Sequence, residues 1–87
     1  MEYTPWLHTL QHGVIAGMSL RDTLATNLRR LRNAANLTQE ELADLAEIDR
    51  SYVSELEGAK YAATVDMIES LAGALKVEPT ELLKKPG

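Results

Sequence analysis

Between Thr38 and Glu57 the sequence calls for two helices in quick succession and leaves almost no chain to join them. Thr38 followed three residues later by Glu41 is a capping box. The threonine side chain accepts from the amide three residues on, and the glutamate reaches back to the threonine amide. Asp49 marks a second start, where its carboxylate is expected to accept from the amides just inside the next helix. Residues 39–46 therefore form one short helix and residues 50–57 another, with Glu47 and Ile48 left for the turn.

Three further helices frame this pair. Ser19 with Asp22 three residues on gives a capping start, and Leu20, Leu24, Leu28 and Leu31 then recur at helical spacing as far as Ala35-Asn36. Leu42, Ala43 and Ala46 are the inward positions of the second helix, and Val53 and Leu56 those of the third. Gly58 is placed to end the third helix, since glycine tolerates a positive φ. After a loop over residues 58–63, Thr64 can cap a fourth helix with the apolar stripe Val65, Ile68, Leu71, Ala72 and Leu75. Val77 leads into Pro79, a favoured first-turn residue, and a short fifth helix carrying Leu82 and Leu83. Residues 84–87 are expected to fray. No sustained apolar–polar alternation offers a strand, and the leucine and alanine content favours helix.

The expected fold class is all-α: a compact five-helix domain over residues 19–85, preceded by an N-terminal arm or short extra helix over residues 1–18. Trp6, Leu7, Leu10, Val14 and Ile15 make this arm apolar. It reads either as a surplus leader, with Met18 as an alternative translation start, or as an arm packed on the domain or on a second subunit. A short helix around residues 5–11 that buries Trp6 is the reading adopted.

Two short helices joined this tightly have helix-turn-helix geometry, in which the second helix is shaped for a DNA major groove wide enough to admit one helix. The charge balance opposes this. Thirteen acidic residues against nine basic ones give a formal net charge of −4, whereas phosphate neutralisation supplies much of a DNA-binding domain's affinity. Distribution outweighs the total. Arg21, Arg29, Arg30 and Arg32 concentrate positive charge on the first helix, while Glu40, Glu41, Asp44 and Glu47 make another face acidic. The balance predicts modest non-specific affinity.

From about Leu20 to Leu83 the chain resembles the Cro and phage-repressor type of helix-turn-helix domain, the XRE family of bacterial regulators. The residues that carry the likeness are Leu28-Arg29-Arg30-Leu31-Arg32, Leu37-Thr38-Gln39-Glu40-Glu41-Leu42-Ala43, Tyr52-Val53-Ser54-Glu55-Leu56-Glu57-Gly58, and Ile68 to Val77. The run Asp49-Arg50-Ser51-Tyr52-Val53-Ser54 is similar to the controller proteins of restriction-modification systems. Two departures stand out. Glu47 fills a turn position often held by glycine, where a left-handed backbone costs about 1–2 kcal/mol. Glu55 lies where many relatives carry a neutral or basic residue.

The resemblance implies a lambda-repressor-like fold and sequence-specific binding of duplex DNA as a transcriptional regulator. It also implies that Gln39 hydrogen-bonds a phosphate while Arg50, Ser51 and Glu55 face the bases. Helical geometry agrees, because with Val53 and Leu56 buried, positions 51, 54, 55 and 58 lie on the opposite side. Arg50 suits guanine O6 and N7, and Glu55 suits the cytosine amino group. Tyr52 and Ser54 can donate to phosphate oxygens, and Lys60 and Tyr61 are further backbone candidates. Arg50 could alternatively pair with Glu47 or Asp49 on the surface, Gln39 could simply decorate a helix start, and Glu57 is expected to pair with an arginine of the first helix.

A two-fold homodimer on a pseudo-palindromic operator is expected, with Val77, Leu82 and Leu83 as its interface. The competing reading, motivated by the net charge and Glu55, is a protein-interaction module of the same fold, antitoxin-like or a co-regulator. An enzyme is not expected, since no nucleophile–base pair, glycine-rich phosphate loop or paired-carboxylate site can be argued. No cofactor is implied. His8 and His12 stand four apart without a third ligand nearby, so a metal site is not expected. There is no cysteine, no run approaches a membrane span, and no secretory signal is evident. A reduced cytoplasm is the expected location.

Overall fold

A computed structural model of the chain describes residues 19–86. Among these residues there are five helices and no strand: α1 (Leu20–Ala34), α2 (Gln39–Ala46), α3 (Arg50–Glu57), α4 (Val65–Leu75) and α5 (Pro79–Leu83). The expected arm over residues 1–18, with Trp6 and the His8–His12 pair, lies outside the described residues.

Side-chain caps set the helix starts. The Asp22 amide donates to Ser19 Oγ at 3.2 Å, and the Ser19 amide returns a bond to Asp22 Oδ2 at 3.3 Å. The Thr38–Glu41 box closes in the same way at 3.0 and 2.9 Å, and Thr64 Oγ1 accepts from the Met67 amide at 3.1 Å. Asp49 departs from expectation. It occupies the N-cap position of α3 with extended backbone, but its side chain makes no capping hydrogen bond.

The helix ends share one device. Asn36, Glu47, Ala59 and Lys76 follow α1, α2, α3 and α4 with φ of 57–59°, in the left-handed region, and none of them is glycine. Gly58, expected to take that role, has φ −87°, and the left-handed residue is Ala59. After each one, the next amide reaches back five residues: Leu37 to Arg32 O at 3.1 Å, and Ile48 to Ala43 O, Lys60 to Glu55 O and Val77 to Ala72 O at 3.0 Å. These are Schellman closures, which a hydrophobic contact from the returning residue commonly accompanies. Leu37, Ile48 and Val77 are all packed against the core, and this packing offsets the left-handed strain that glycine would have avoided.

Glu47 is the least favourable of the four, since it combines left-handed backbone with a negative charge at a helix C-terminus. Glu47→Gly is expected to raise stability by about 0.5–1.5 kcal/mol, less strain and charge repulsion being partly offset by a looser unfolded chain. Glu47→Ala, which removes the charge and keeps the strain, should gain less. Urea denaturation of both variants checks the order.

The core is aliphatic: Leu24, Leu28, Leu42, Val53, Leu56, Leu71, Leu75 and Leu82, with Ala43, Ala46 and Ala72 where helices approach closely. It is continuous, with α1 packing on α3 and α5, α2 on α3 and α4, and α4 on α5. Two expected inward residues point outward. Leu20 is 63% exposed and Val65 80% exposed, because each is the first residue of its helix, ahead of the turn that meets the core. No helix among the described residues is long and apolar enough to cross a membrane.

Candidate nucleic-acid interface

The outer face of α3 is set by what its inner face buries. Val53, Leu56 and Glu57 are buried, and Arg50, Ser51, Ser54 and Glu55 are left exposed with Tyr52 half-buried. The structure thus places the three expected base-facing residues, Arg50, Ser51 and Glu55, on one open helix surface. Arg50 stands in the first turn and enters no ion pair among the described residues, which leaves its guanidinium free of the Glu47 and Asp49 pairing considered above.

Gln39 opens α2 at the edge of that surface, half-buried. Its Nε2 donates to Glu57 Oε1 at 3.1 Å. A carboxylate only accepts, so this contact fixes the amide orientation and leaves one N–H and the amide oxygen available. Gln39 is therefore more than decoration of a helix start: the side chain is aimed by the end of α3.

Glu57 is the centre of this arrangement. It is buried, yet its carboxylate accepts from Arg32 Nε at 2.6 Å and Arg32 Nη2 at 3.0 Å as a two-point pair, and from Gln39. Arg32 Nη1 donates onward to Leu37 O at 2.8 Å. The hydrogen bond that Arg32 donates to Glu57 is the largest influence raising the Arg32 pKa, opposed by desolvation and assisted by the attraction of the same carboxylate. Arg29 adds a bond from Nη2 to the Glu57 carbonyl at 2.8 Å. Its 3.9 Å ion pair with the carboxylate is long and its own side chain is 58% exposed, so this pair contributes little. The expected pairing of Glu57 with a first-helix arginine is present, and it joins α1, α2 and α3 at one point.

Beyond α3, Tyr61 lies with its ring centroid 5.2 Å from that of Tyr52, the planes tilted by 51°. The Tyr52 phenol is pushed above its usual pKa chiefly by the neighbouring Tyr61 side chain, then by desolvation and the carboxylates of Asp49 and Glu55. Lys60 is exposed beside the pair.

The expected dimer residues separate. Leu82 is fully buried at 0% exposure; it anchors α5 in the core and does not offer a surface, because α5 is too short to bury one leucine without turning the other outward. Leu83 is 36% exposed and Val77 is half-buried. Thr23 and Asn27 are buried polar residues that the leucine spacing of the first helix does not single out. Asn27 is buried, and its Nδ2 donates to Leu82 O at 2.9 Å and Lys84 O at 2.7 Å, capping the end of α5. Its signal was a lone amide on the apolar stripe between Leu24 and Leu31. Among the described residues no group of three potential metal ligands is gathered.

A helix-turn-helix family profile matches residues 28–82 of the chain. Control protein C.SmaI of Serratia marcescens is 34% identical over 73 residues, covering 84% of this chain and 87% of that protein. The crystal structure of the hypothetical transcription factor NHTF from Neisseria superposes with a TM-score of 0.76 at 40% identity, over 78% of each chain. The restriction-modification controller protein C.AhdI from Aeromonas hydrophila gives a TM-score of 0.70 at 42% identity, over 71% of this chain and 94% of that one.

Proposed function

The chain belongs to the helix-turn-helix family, as a DNA-binding transcriptional regulator of the XRE type, and from that premise we propose that α3 reads the major groove of a pseudo-palindromic operator as one half of a homodimer. The observation that carries the proposal is the open face of α3, where Arg50, Ser51 and Glu55 project together while Val53, Leu56 and Glu57 hold the helix to the core. Arg50 takes guanine through O6 and N7, Glu55 accepts from a cytosine amino group, and Ser51 adapts to either neighbour. Gln39, Tyr52, Ser54, Lys60 and Tyr61 donate to phosphates, fixing register without reading sequence. Residues 19–85 form the DNA-binding domain, and the protein works in the cytoplasm.

One short recognition helix spans too few base pairs for genomic specificity, and the proposed two-fold pairing doubles the site. With Leu82 committed to the core, the contact falls to Leu83 and Val77. The relatives named as control and controller proteins support regulation of transcription as the role.

Selection from random duplex DNA by the purified protein, at two salt concentrations, tests this reading. A two-fold symmetric motif with half-sites about one helical turn apart, bound more weakly at higher salt, is expected. The exposed carboxylates of Asp49 and Glu55 beside Arg50 favour a different role if no motif is enriched at low salt. The fold would then serve as a protein-interaction module.

A further inference from the structure

Gln39 is a weak phosphate donor by itself. Its amide is neutral, and the next two residues, Glu40 and Glu41, place exposed carboxylates beside it. A phosphate brought to that edge meets their repulsion, against which one neutral hydrogen bond offers little. Phosphate binding there calls for a cation, and the end of α3 holds one.

Two arginines of α1 meet at Glu57, which carries a single negative charge. Arg32 takes the carboxylate at two points and gives Nη1 to Leu37 O, and its side chain is only 14% exposed. Arg32 is thereby committed to the interior, and the charge of Arg29 is surplus. Arg29 Nη2 donates to the Glu57 carbonyl at 2.8 Å, one of the backbone acceptors that a helix leaves open at its C-terminus. It makes no other hydrogen bond among the described residues. The carbonyl aims the guanidinium without neutralising it, and 58% of the side chain stays exposed. Arg29 Nε and Gln39 Nε2 stand 3.9 and 3.1 Å from the same oxygen, Glu57 Oε1, so no more than about 7 Å separates them. Two donors so placed can reach both non-bridging oxygens of one phosphate with hydrogen bonds of about 2.8–2.9 Å.

We propose that Arg29 and Gln39 form one phosphate-binding site for the DNA backbone, in which Arg29 supplies the charge and Gln39 the direction. The inference rests on the reading of α3 as the DNA-facing helix and adds to it a contact from α1. Glu57 is the positioning residue for both donors, its carboxylate orienting Gln39 and its carbonyl orienting Arg29. A chain of net charge −4 thus keeps a cation at the edge of its recognition helix. A phosphate carries no sequence information, so Arg29 contributes affinity and register and no discrimination between bases.

The test is binding of the full-length protein, over a series of salt concentrations, to the motif-bearing duplex from the selection above and to a scrambled duplex. Arg29→Gln keeps a donor for the Glu57 carbonyl and removes the charge. It should weaken binding to both duplexes by the same factor, several-fold, and reduce the slope of log affinity against log salt by about 0.9 per subunit, one phosphate contact. Circular dichroism and Tm should stay near those of the unmodified protein, since the side chain is mostly exposed. Arg29→Lys keeps the charge and should keep the slope. Arg30→Gln is the matched control. Arg30 is exposed on the same helix, but its Nη2 turns to Asn27 Oδ1 at 3.3 Å, on the α5 side, and its loss should leave the slope nearly unchanged. An unchanged slope in Arg29→Gln overturns the inference and leaves the reading of α3 standing. So does an equal fall in Arg30→Gln, which would reduce the effect to the general field of α1, or an equal fall in Arg29→Lys. If the unmodified protein binds neither duplex at low salt, the reading of α3 fails and this site fails with it.

Discussion

Glu57→Ala is expected to destabilise the protein by about 3–5 kcal/mol, the range for removing one partner of a buried ion pair. The Glu57 residue is only 4% exposed, and its carboxylate accepts three hydrogen bonds from Arg32 and Gln39. Alanine would leave the Arg32 guanidinium, whose side chain is only 14% exposed, with Nε and Nη2 unpaired. For a domain of this size a loss of about 3 kcal/mol lowers Tm by roughly 12 °C or more. Urea and thermal denaturation measure it. A loss under about 1 kcal/mol would mean that water reaches the site and that the pair behaves as a surface one. The paired change Arg32→Met with Glu57→Leu should recover much of the loss, since replacing both ions by apolar groups is often close to neutral. It would not restore the aim of Gln39, so DNA affinity should stay reduced when stability returns.

Arg50→Ala is expected to do the reverse, sparing stability and abolishing sequence discrimination. The residue is exposed and makes no ion pair among the described residues, so Tm should stay within a degree or two. A bidentate arginine–guanine contact is worth about 1–3 kcal/mol. Two half-sites then give roughly 2–6 kcal/mol, an affinity loss from about 30-fold upward. The measurement is binding to the selected operator and to a scrambled duplex at one salt concentration. Loss on the operator alone identifies a base contact. Equal loss on both, with a shallower salt dependence, would make Arg50 a phosphate contact and move the reading of bases to Ser51 and Glu55.

Most of the fold was legible because its signals are local. The Ser19, Thr38 and Thr64 caps, the leucine spacing and the tight Glu47–Ile48 joint each lie within a few residues, and each recurs in the structure. The outer face of α3 was legible for the same reason, as burying Val53 and Leu56 determines which neighbours face out. The misses lie where the deciding partner is distant in sequence. Asp49 could cap α3 by its chemistry but does not, and Gly58 suits a left-handed exit by local propensity whereas the structure puts Ala59 there. The role of Asn27 depends on carbonyls 55 and 57 residues away. Leu82 and Leu83 are adjacent and identical in type, and only the placement of α5 against α1 and α4 decides which is core.

The left-handed exits have a consequence for how the regulator is switched off. A helix closed by glycine can keep its boundary as an isolated segment, but here Leu37, Ile48 and Val77 hold three exits from within the shared core. The angle between α2 and α3 is consequently a property of the whole domain. Heating or denaturant should not yield a loosened form that still grips its operator with the two helices in place. Operator occupancy and folded population should decline along one curve, and a protease that captures the open chain would remove regulator and DNA contact in the same event.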